Sequence, residues 1–504
     1  MSFLSVDVGS STCKAAIFSP SGEMLALRAA SWTAQYPEPG RAELDPAVMM
    51  DVVAALVREI AQAPLEDPIQ AICFSSHGET FIPTAADGQA CYPAILNMDT
   101  RAGSEAAWCE QQISRDRLFS ITGHTSHAIY PVPKLVWLRK HAPEVFAKAR
   151  WFLGVTDYLL LRLGLPPLID YSHAARFMAL DVHALQWSPE VLALAGVRMD
   201  SLAAPVPAGT VAGRLGREAA SLLGLAAGTP VIVGGHDQVI GALGLGVISS
   251  ARAAASLGTY ECILAVSDQP QLTEAALQHG LSSYPHAVAG KFVTIAYFPS
   301  GIMLEWLGNL LGGADNGSDG QSIWKRLESE APDGPTGVIA TPHLIGTCNP
   351  EFNSHATAAI RGITPGSTTA HLYKGILEGI ASELALIIEC LDSSGAHFEH
   401  INVAGGGTHS AMGMRLRAAF TEKHLHVPRA EESVCLGGAL LASIALGVHA
   451  DAEAAVRAMV HEKRCVHPDS AWVRLYKAQY ARYRNFRTLL MHFSKDLNFP
   501  LGEQ

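Results

Sequence analysis

The chain has 504 residues, more than one ordinary hydrophobic core holds, and this length points to two large domains. Hydrophobic residues at 49% and charged residues at 16% exclude a disordered or fibrous chain and suit a compact enzyme. A net charge of -11, with no basic run to track a phosphodiester backbone, argues against nucleic acid as a partner.

From the N-terminus, β-type runs at Phe3–Val8, Cys13–Phe18 and Met24–Ala30 are separated by Gly/Ser turns. The opening residues lack a basic region and reach Asp7 early, so no signal peptide is expected there. Asp45-Pro46 is a helix start, and Met49, Val52, Val53, Leu56 and Ile60 follow at helical spacing. A short strand, Ala71–Phe74, ends in the polar loop Ser75-Ser76-His77-Gly78-Glu79-Thr80. Strands alternating with helices predict α/β layers.

Val231–Val233 reads as a buried strand ending at Gly234-Gly235-His236-Asp237, with a helix over Val239–Val247 behind it. Hairpin character returns at Ala253–Gly258 and Tyr260–Val266, which sets the domains at 1–247 and 248–504. Leu372, Ile376, Ile380, Leu384, Ile387, Ile388 and Leu391 form one apolar stripe of a long helix. Strand Ile401–Ala404 leads into Gly405-Gly406-Gly407-Thr408 and a further helix. The tail from Trp472 to Phe493 is an aromatic amphipathic helix expected to pack on the body.

Nine cysteines, none in a C-x-x-C pair, read as reduced thiols of a cytoplasmic protein. The longest apolar stretch, Leu436–Val448, is too short to span a bilayer, so no membrane partner is expected.

Val8-Gly9-Ser10-Ser11 and Leu257-Gly258-Thr259-Tyr260 each sit between two β runs and suggest duplicated halves facing a shared cleft. Such hairpins offer N–H and hydroxyl groups to an anion, and phosphate is the obvious guest. A carboxylate beside phosphate calls for a cation, so Asp7 implies Mg²⁺, although alone it reads equally as a cap on the turn. Gly405-Gly406-Gly407-Thr408 lies at a strand-to-helix joint, where a phosphate can meet a helix N-terminus. Its spacing fits neither the dinucleotide-binding fingerprint nor the P-loop, and three glycines also serve close helix–sheet packing.

Asp237 follows a buried strand and two glycines, and an exposed carboxylate there suits a base for phosphoryl transfer to an alcohol. An ordinary helix N-cap accounts for it as well. His236 is assigned a structural hydrogen-bonding role. Glu79, Asp99 and Arg101 fall on loops that can bind vicinal hydroxyls, or else are solvated charges.

Taken in order, several blocks carry a resemblance. They are Asp7-Val8-Gly9-Ser10-Ser11-Thr12-Cys13-Lys14, Leu96-Asn97-Met98-Asp99-Thr100-Arg101, Pro133-Lys134-Leu135-Val136-Trp137-Leu138, Thr156-Asp157-Tyr158 and Asp170-Tyr171-Ser172 in the first half. Gly235-His236-Asp237-Gln238, Leu257-Gly258-Thr259, Ile360 to Gly379, Gly405-Gly406-Gly407 and Leu436-Gly437-Gly438-Ala439 follow. Together they resemble the FGGY carbohydrate kinases, the group that includes glycerol kinase, xylulokinase and gluconokinase.

The resemblance implies two ribonuclease H-like α/β domains of the actin/Hsp70-type ATPase fold with an interdomain cleft. It implies an ATP-dependent kinase acting on a terminal hydroxyl, with Asp237 as general base. Substrate contacts would come from His77, Glu79, Asp99, Arg101 and Gln238. Nucleotide contacts would come from Gly9, Ser10, Ser11, Thr12, Lys14, Gly258, Thr259, Gly301, Gly405, Gly406, Gly407 and Thr408. Mg²⁺ would lie at Asp7 and Asp237, and a homodimer is allowed.

Within the matched blocks, Asn97 stands where Trp is usual and Gly375 where Ala or Ser is usual. Two departures fall in substrate-facing regions: Gly78, in the Ser76–Thr80 loop, replaces the Arg of glycerol kinases, and Gly346-Thr347-Cys348-Asn349-Pro350 lacks the usual G-E-R. They leave the acceptor open between a ketose such as a pentulose and a polyol, with Glu79 disfavouring an acid. Two rivals are a catalytically inactive sugar- or nucleotide-binding regulator and a serine hydrolase built on Ser76, which lacks the first Gly of G-x-S-x-G.

Overall fold

The first three β runs fold back on one another because Gly/Ser turns separate them. In the computed structural model, which describes residues 1–312 and 323–496, they are β1 (Ser2–Val8), β2 (Thr12–Phe18) and β3 (Met24–Ser31). The β1–β2 pair is antiparallel, with Asp7 opposite Lys14 and Val8 opposite Cys13. The remaining strands of this sheet are β4 (Ile69–Ser76), β5 (Val211–Arg214) and β6 (Pro230–His236), and the order across it is β5-β6-β4-β1-β2-β3. β1, β4 and β6 run parallel, and the apolar residues of all three are buried, as expected of strands covered on both faces. Helix α1 (Pro46–Ile60) packs on β2 and β3, and Asp45 caps it by accepting from the Ala47 N–H at 2.8 Å. Helix α2 (Asp237–Gly244) leaves β6 without a connecting residue.

The second sheet contains β7 (Arg252–Leu257), β8 (Tyr260–Ser267), β9 (Ser282–Pro285), β10 (Phe292–Pro299), β11 (His400–Ala404), β12 (His424–Pro428) and β13 (Glu462–Val466). Its order is β9-β10-β8-β7-β11-β12-β13. Strand for strand it repeats the first: β7, β8 and β10 match β1, β2 and β3, while β11, β12 and β13 match β4, β6 and β5, with the same parallel and antiparallel pairings. β9 is an addition. The faint echo of the two Gly-Ser/Thr turns therefore reflects a duplicated topology.

Five further helices matter for the site: α3 (Gly301–Leu310), α4 (Thr369–Ser393), α5 (Ala411–Thr421), α6 (Ser433–Ala445) and α8 (Ser470–Asp496), with α7 (Ala452–Met459) between the last two. The apolar stripe of α4 is buried from Ile376 to Leu391, with Leu372 partly buried, and on α8 Tyr476 and Tyr483 are buried against the body as the aromatic spacing predicts. No helix among the described residues is long and apolar enough to cross a membrane.

Two features go beyond what the sequence reading describes. The segment Gly405–Thr408 does not open a helix: Gly406–His409 is a single 3₁₀ turn, and α5 starts at Ala411, capped by Ser410 on the Gly413 N–H at 2.9 Å. Splitting the chain at 247/248 separates the sheets but not the cores. Helix α6, from the second half, crosses α2 and lies on β1 and β4, so Leu436, Ala439 and Leu440 join the core of Phe3, Leu4 and Ile72. The crossing is backbone to backbone, since a Cβ on Gly437 would stand 2.0 Å from the Ile240 carbonyl oxygen.

Candidate active site

Parallel α/β sheets offer ligands the carboxyl ends of their strands. Here β1 ends at Asp7-Val8, β4 at Ser76 and β6 at His236, and their following residues converge. Asp237, the first residue of α2, keeps 23% of its side chain exposed, and its Oδ1 accepts from the Gln238 N–H at 2.6 Å. His236 Nε2 lies 3.2 Å from the same oxygen. Burial, then the charge of Glu79, pushes the Asp237 carboxyl up to about 6. Asp237 opens on a small pocket whose far wall, Ser256, Cys262 and Ala404, belongs to the second sheet. The Gln238 side chain reaches across to that wall, accepting from Ser256 Oγ at 3.2 Å.

Asp7 faces the same region. Burial, reinforced by the charge of Asp237, pushes its carboxyl up to about 8. Its Oδ1 is buried with no hydrogen-bond partner among the described residues. The nearest cation, Lys14, is already held by Glu432 with Nζ 2.8 and 2.9 Å from its two oxygens. Two carboxylates that disfavour each other's charge, one with an orphaned oxygen, form a donor set suited to a hard divalent cation such as Mg²⁺.

Beside Asp237, Glu79 adopts a left-handed backbone with φ 58° and pairs with the buried Arg176 guanidinium. Arg176 is flanked by the rings of Tyr130 at 5.1 Å and Tyr284 at 5.4 Å. Tyr284 Oη lies 3.2 Å from His236 Nδ1, so the Glu79–Arg176 pair connects through Tyr284 and His236 to Asp237. Burial holds His236 well below its ordinary pKa, so its ring is neutral. Lys134, fully buried, fixes this loop by donating to the Glu79 carbonyl at 3.2 Å and the Leu96 carbonyl at 2.6 Å.

On the second domain a cavity of about 730 Å³ is lined by Gly258, Thr259, Gly301, Gly406 and Gly407. One wall is aromatic: Trp324 and Tyr373 stack with centroids 5.5 Å apart. The floor carries the buried Arg417–Glu261 ion pair, to which Ser300 Oγ donates at 2.7 Å. The β7–β8 turn is tied to α3, with the Gly301 N–H donating to the Gly258 carbonyl at 3.0 Å. The matching turn on the first domain is held from behind. Trp32 donates from Nε1 to the Ser10 carbonyl at 2.8 Å and from its backbone N–H to the Ser11 carbonyl at 3.0 Å. Because each peptide is planar and trans, the Ser11 N–H points to the other side.

Several residues singled out in the sequence sit elsewhere or are already engaged. Asp99 is fully buried and spends its oxygens on the Ala42 N–H at 2.6 Å and on Arg101. Arg101 in turn contacts Glu43 at 2.7 Å and lies over the Trp137 ring, so neither residue is a solvated charge or an open sugar contact. Both ring nitrogens of His77 are occupied, Nδ1 by the Val8 carbonyl at 2.9 Å and Nε2 by Thr80 Oγ1 at 2.8 Å. The ring therefore ties β1 to the Glu79 loop. Thr408 closes its own turn through Oγ1 and the Gly405 carbonyl at 2.8 Å. Thr259 Oγ1 donates to Glu305 at 3.0 Å at the cavity's rim.

Ser76 does sit 3.0 Å from His173 Nε2, with Asp170 2.8 Å from Nδ1. Yet Ser76 is fully buried and donates to the His77 carbonyl, while His173 Nε2 also lies 3.0 Å from the Ser76 carbonyl. Burial disfavours charge on His173, but the Asp170 hydrogen bond and charge, together with the Ser76 carbonyl and the charge of Asp157, raise its pKa. The hydrolase alternative is removed.

Arg176, Tyr284, Glu261, Trp324, Tyr373 and Arg417 escaped the sequence reading. Arg176 lies six residues after Asp170 of the Asp170-Tyr171-Ser172 block, Tyr373 falls inside the Ile360 to Gly379 block and Glu261 inside the Tyr260–Val266 run, whereas Tyr284, Trp324 and Arg417 had no nearby signal.

Residues 2–244 match the N-terminal domain, and residues 253–446 the C-terminal domain, of the FGGY family of carbohydrate kinases. A gluconokinase of Bacillus licheniformis is 25% identical over 88% of this chain and 87% of its own length. An autoinducer-2 kinase of Klebsiella pneumoniae is 27% identical over 95% of this chain and 92% of its own. The crystal structure of xylulose kinase from Rhodospirillum rubrum superposes with a TM-score of 0.89 at 23% identity, covering 98% of this chain and 100% of that one.

Proposed function

The chain belongs to the FGGY family of carbohydrate kinases, and we propose that it transfers the γ-phosphoryl group of ATP to a terminal hydroxyl of a neutral sugar or polyol. The observation that carries this is Asp237: a partly open carboxylate, pushed up to about 6, lying between the Glu79–Arg176 pair and the second-domain wall. A base whose pKa approaches working pH combines the correct ionisation with real proton affinity.

The acceptor hydroxyl lies against Asp237, which takes its proton as the oxygen attacks in line. Neutral His236, with Nε2 3.2 Å from Asp237 Oδ1 and the opposite ring nitrogen against Tyr284 Oη, walls one side of the carboxylate and limits its rotation. The Gly258-Thr259 and Gly9-Ser10-Ser11-Thr12 turns cradle the phosphates from the two domains. The Trp324–Tyr373 wall receives the base of the nucleotide. Asp7 and Asp237 would hold Mg²⁺, which supplies charge neutralisation for the phosphates when bound. The nine free cysteines and the demand for ATP fit a cytoplasmic setting.

The relatives are named for gluconate, autoinducer-2 and xylulose, so the acceptor must be argued from this chain. Arg176 is already paired with Glu79, and a carboxylate substrate gains no free cation from that pair. This favours a ketose or polyol. Measuring ADP release over pentuloses, hexuloses, polyols and aldonates tests it. Turnover of a neutral acceptor supports the assignment, and turnover of aldonates alone ends the neutral-substrate part. ATP binding without phosphorylation of any acceptor would instead identify a non-catalytic regulator.

A further inference from the structure

The edge of the second sheet carries a cluster of metal-ligating side chains that phosphoryl transfer does not use. On β12 the sequence alternates His424-Leu425-His426-Val427, which buries Leu425 and Val427 in the core and turns both imidazoles to the opposite face. Antiparallel pairing sets His426 directly opposite Cys465 on β13, and one step further brings His424 against His467. On the other side, β11 pairs His400 with His424. Strand register alone thus gathers four histidines and a thiol on one face of three adjacent strands.

The donor atoms are close. His424 Nδ1 and His467 Nδ1 are 2.9 Å apart, and Cys465 Sγ is 4.0 Å from His467 Nδ1 and 3.9 Å from His426 Nε2. The ligand atoms of His424, Cys465 and His467 all lie within 4.8 Å of one another. Tetrahedral zinc, with Zn–N of about 2.0–2.1 Å and Zn–S of about 2.3 Å, spaces its donors roughly 3.3–3.6 Å apart, so side-chain shifts of up to about 1 Å close these three donors on one ion, and a turn of the His426 ring adds the fourth. His426 is already prepared as a ligand. Its Nδ1 lies 2.6 Å from Glu462 Oε2, and donation to that carboxylate leaves the Nε2 lone pair facing Cys465. His400 ends the row, with Nδ1 2.9 Å from His426 Nε2. Arg252, the neighbouring cation, is drawn aside to Asn402 Oδ1 at 2.9 Å.

We propose that His424, Cys465 and His467, with His426 as fourth donor and Glu462 behind it, form a binding site for a zinc-class divalent cation. A borderline cation is selected because the set offers imidazole and thiolate, which Mg²⁺ disfavours. The site lies at the opposite end of β11 from the Gly405 turn, so it is separate from the Asp7 and Asp237 carboxylates. Its physical effect is to fasten the edge strand β13 to β12. β13 also carries Arg464, which donates to the Thr408 carbonyl behind the nucleotide turn.

The test is a cobalt titration of the full chain after chelator treatment. A thiolate-to-cobalt charge-transfer band with strong tetrahedral visible bands should saturate at one equivalent, and zinc should bleach it. Cys465→Ser should abolish the charge-transfer band and weaken zinc binding about 100-fold, while Glu462→Gln should weaken it about 10-fold or more. His467→Gln, at an exposed position, provides a second ligand variant whose folding is easily verified. Absence of a stoichiometric band overturns the proposal. So does a band that survives unchanged in Cys465→Ser, since it would place the metal on another thiol.

Discussion

Nε2 of His236 lies 3.2 Å from Oδ1 of Asp237, the residue that follows it, at the joint where β6 becomes α2. The strand end fixes the imidazole through its own backbone, because the His236 N–H donates to Ser172 Oγ at 3.0 Å. A neutral ring held in this way gives Asp237 one preferred orientation without neutralising its charge.

The first prediction follows from that carboxylate. Its pKa is raised to about 6 in the folded enzyme, so below that pH the base becomes protonated and inactive. kcat/KM should fall about tenfold per pH unit on the acid side and stay flat just above it. Asp237→Asn should lower kcat by about 10²–10⁴ with the fold intact. A pH-independent rate down to pH 5, or near-normal turnover in the variant, would remove Asp237 as base.

Asp7 supplies the second. Its orphaned Oδ1 and elevated pKa of about 8 mean that protons compete with a cation there below that pH. Apparent Mg²⁺ affinity, measured calorimetrically in the presence of a nonhydrolysable ATP analogue, should rise from pH 6 to pH 8. Asp7→Asn should flatten that rise and weaken Mg²⁺ binding by tenfold or more, of the order of 1.4 kcal/mol. Identical Mg²⁺ titrations for the two proteins would take Asp7 out of the metal site.

Two adjacent glycines separate stability from nucleotide binding. Gly405 has φ 98°, and a Cβ there would stand 2.7 Å from the Leu257 carbonyl oxygen. Gly405→Ala should cost about 1–3 kcal/mol from backbone strain alone, and more with the clash. A Cβ on Gly406 meets no protein atom within 4 Å, and the residue lines the nucleotide cavity. Gly406→Ala should keep the melting temperature while raising KM for ATP. The opposite ranking would move the nucleotide away from this turn.

These positions show which features a single sequence exposes. The β runs, the stripe of α4 and the two Gly turns are legible because burial imposes regular spacings, and tight turns select glycine, in the order of residues along the chain. Asp237 was legible because it follows an apolar strand, and the structure adds the neighbours that raise its pKa. Asp99 and Arg101 misled because a charged residue after a strand looks solvated until Glu43, from 56 residues earlier than Asp99, arrives to pair with Arg101. Tyr284 and Arg417 act through partners brought together only by tertiary packing, and no local pattern marks them. The same holds for the His424–Cys465 face, which exists only through strand register.

The last prediction concerns the aromatic tail helix, whose docking rests on more than its stripe. Arg487 of α8 donates from Nε to both oxygens of Glu383 on α4 at 3.0 Å, and its two Nη groups bind Glu351 at 2.6 and 2.7 Å. His343 Nε2 lies 3.2 Å from Glu383 Oε1, and Tyr483 Oη donates to Oε2. Burial opposes the Glu383 charge, but Arg487 and His343 together outweigh it and hold the carboxyl down at about 2. Its unfolded value is about 4.3, so the folded state binds the proton more weakly and gains stability above that pH. That gain is lost as pH falls from about 4.3 toward 2. Glu383→Gln leaves Arg487 with Glu351 as its remaining carboxylate and should cost roughly 3–5 kcal/mol at pH 7. Urea unfolding of both proteins between pH 7 and pH 3 reads this directly. The gap between them should narrow below about pH 4.3, as the unfolded parent chain takes up a proton at Glu383 that the folded state still rejects, because the variant has no such proton to take up. Parallel curves across that range would show that the α8 dock draws its stability from the tyrosines and not from the ion pair.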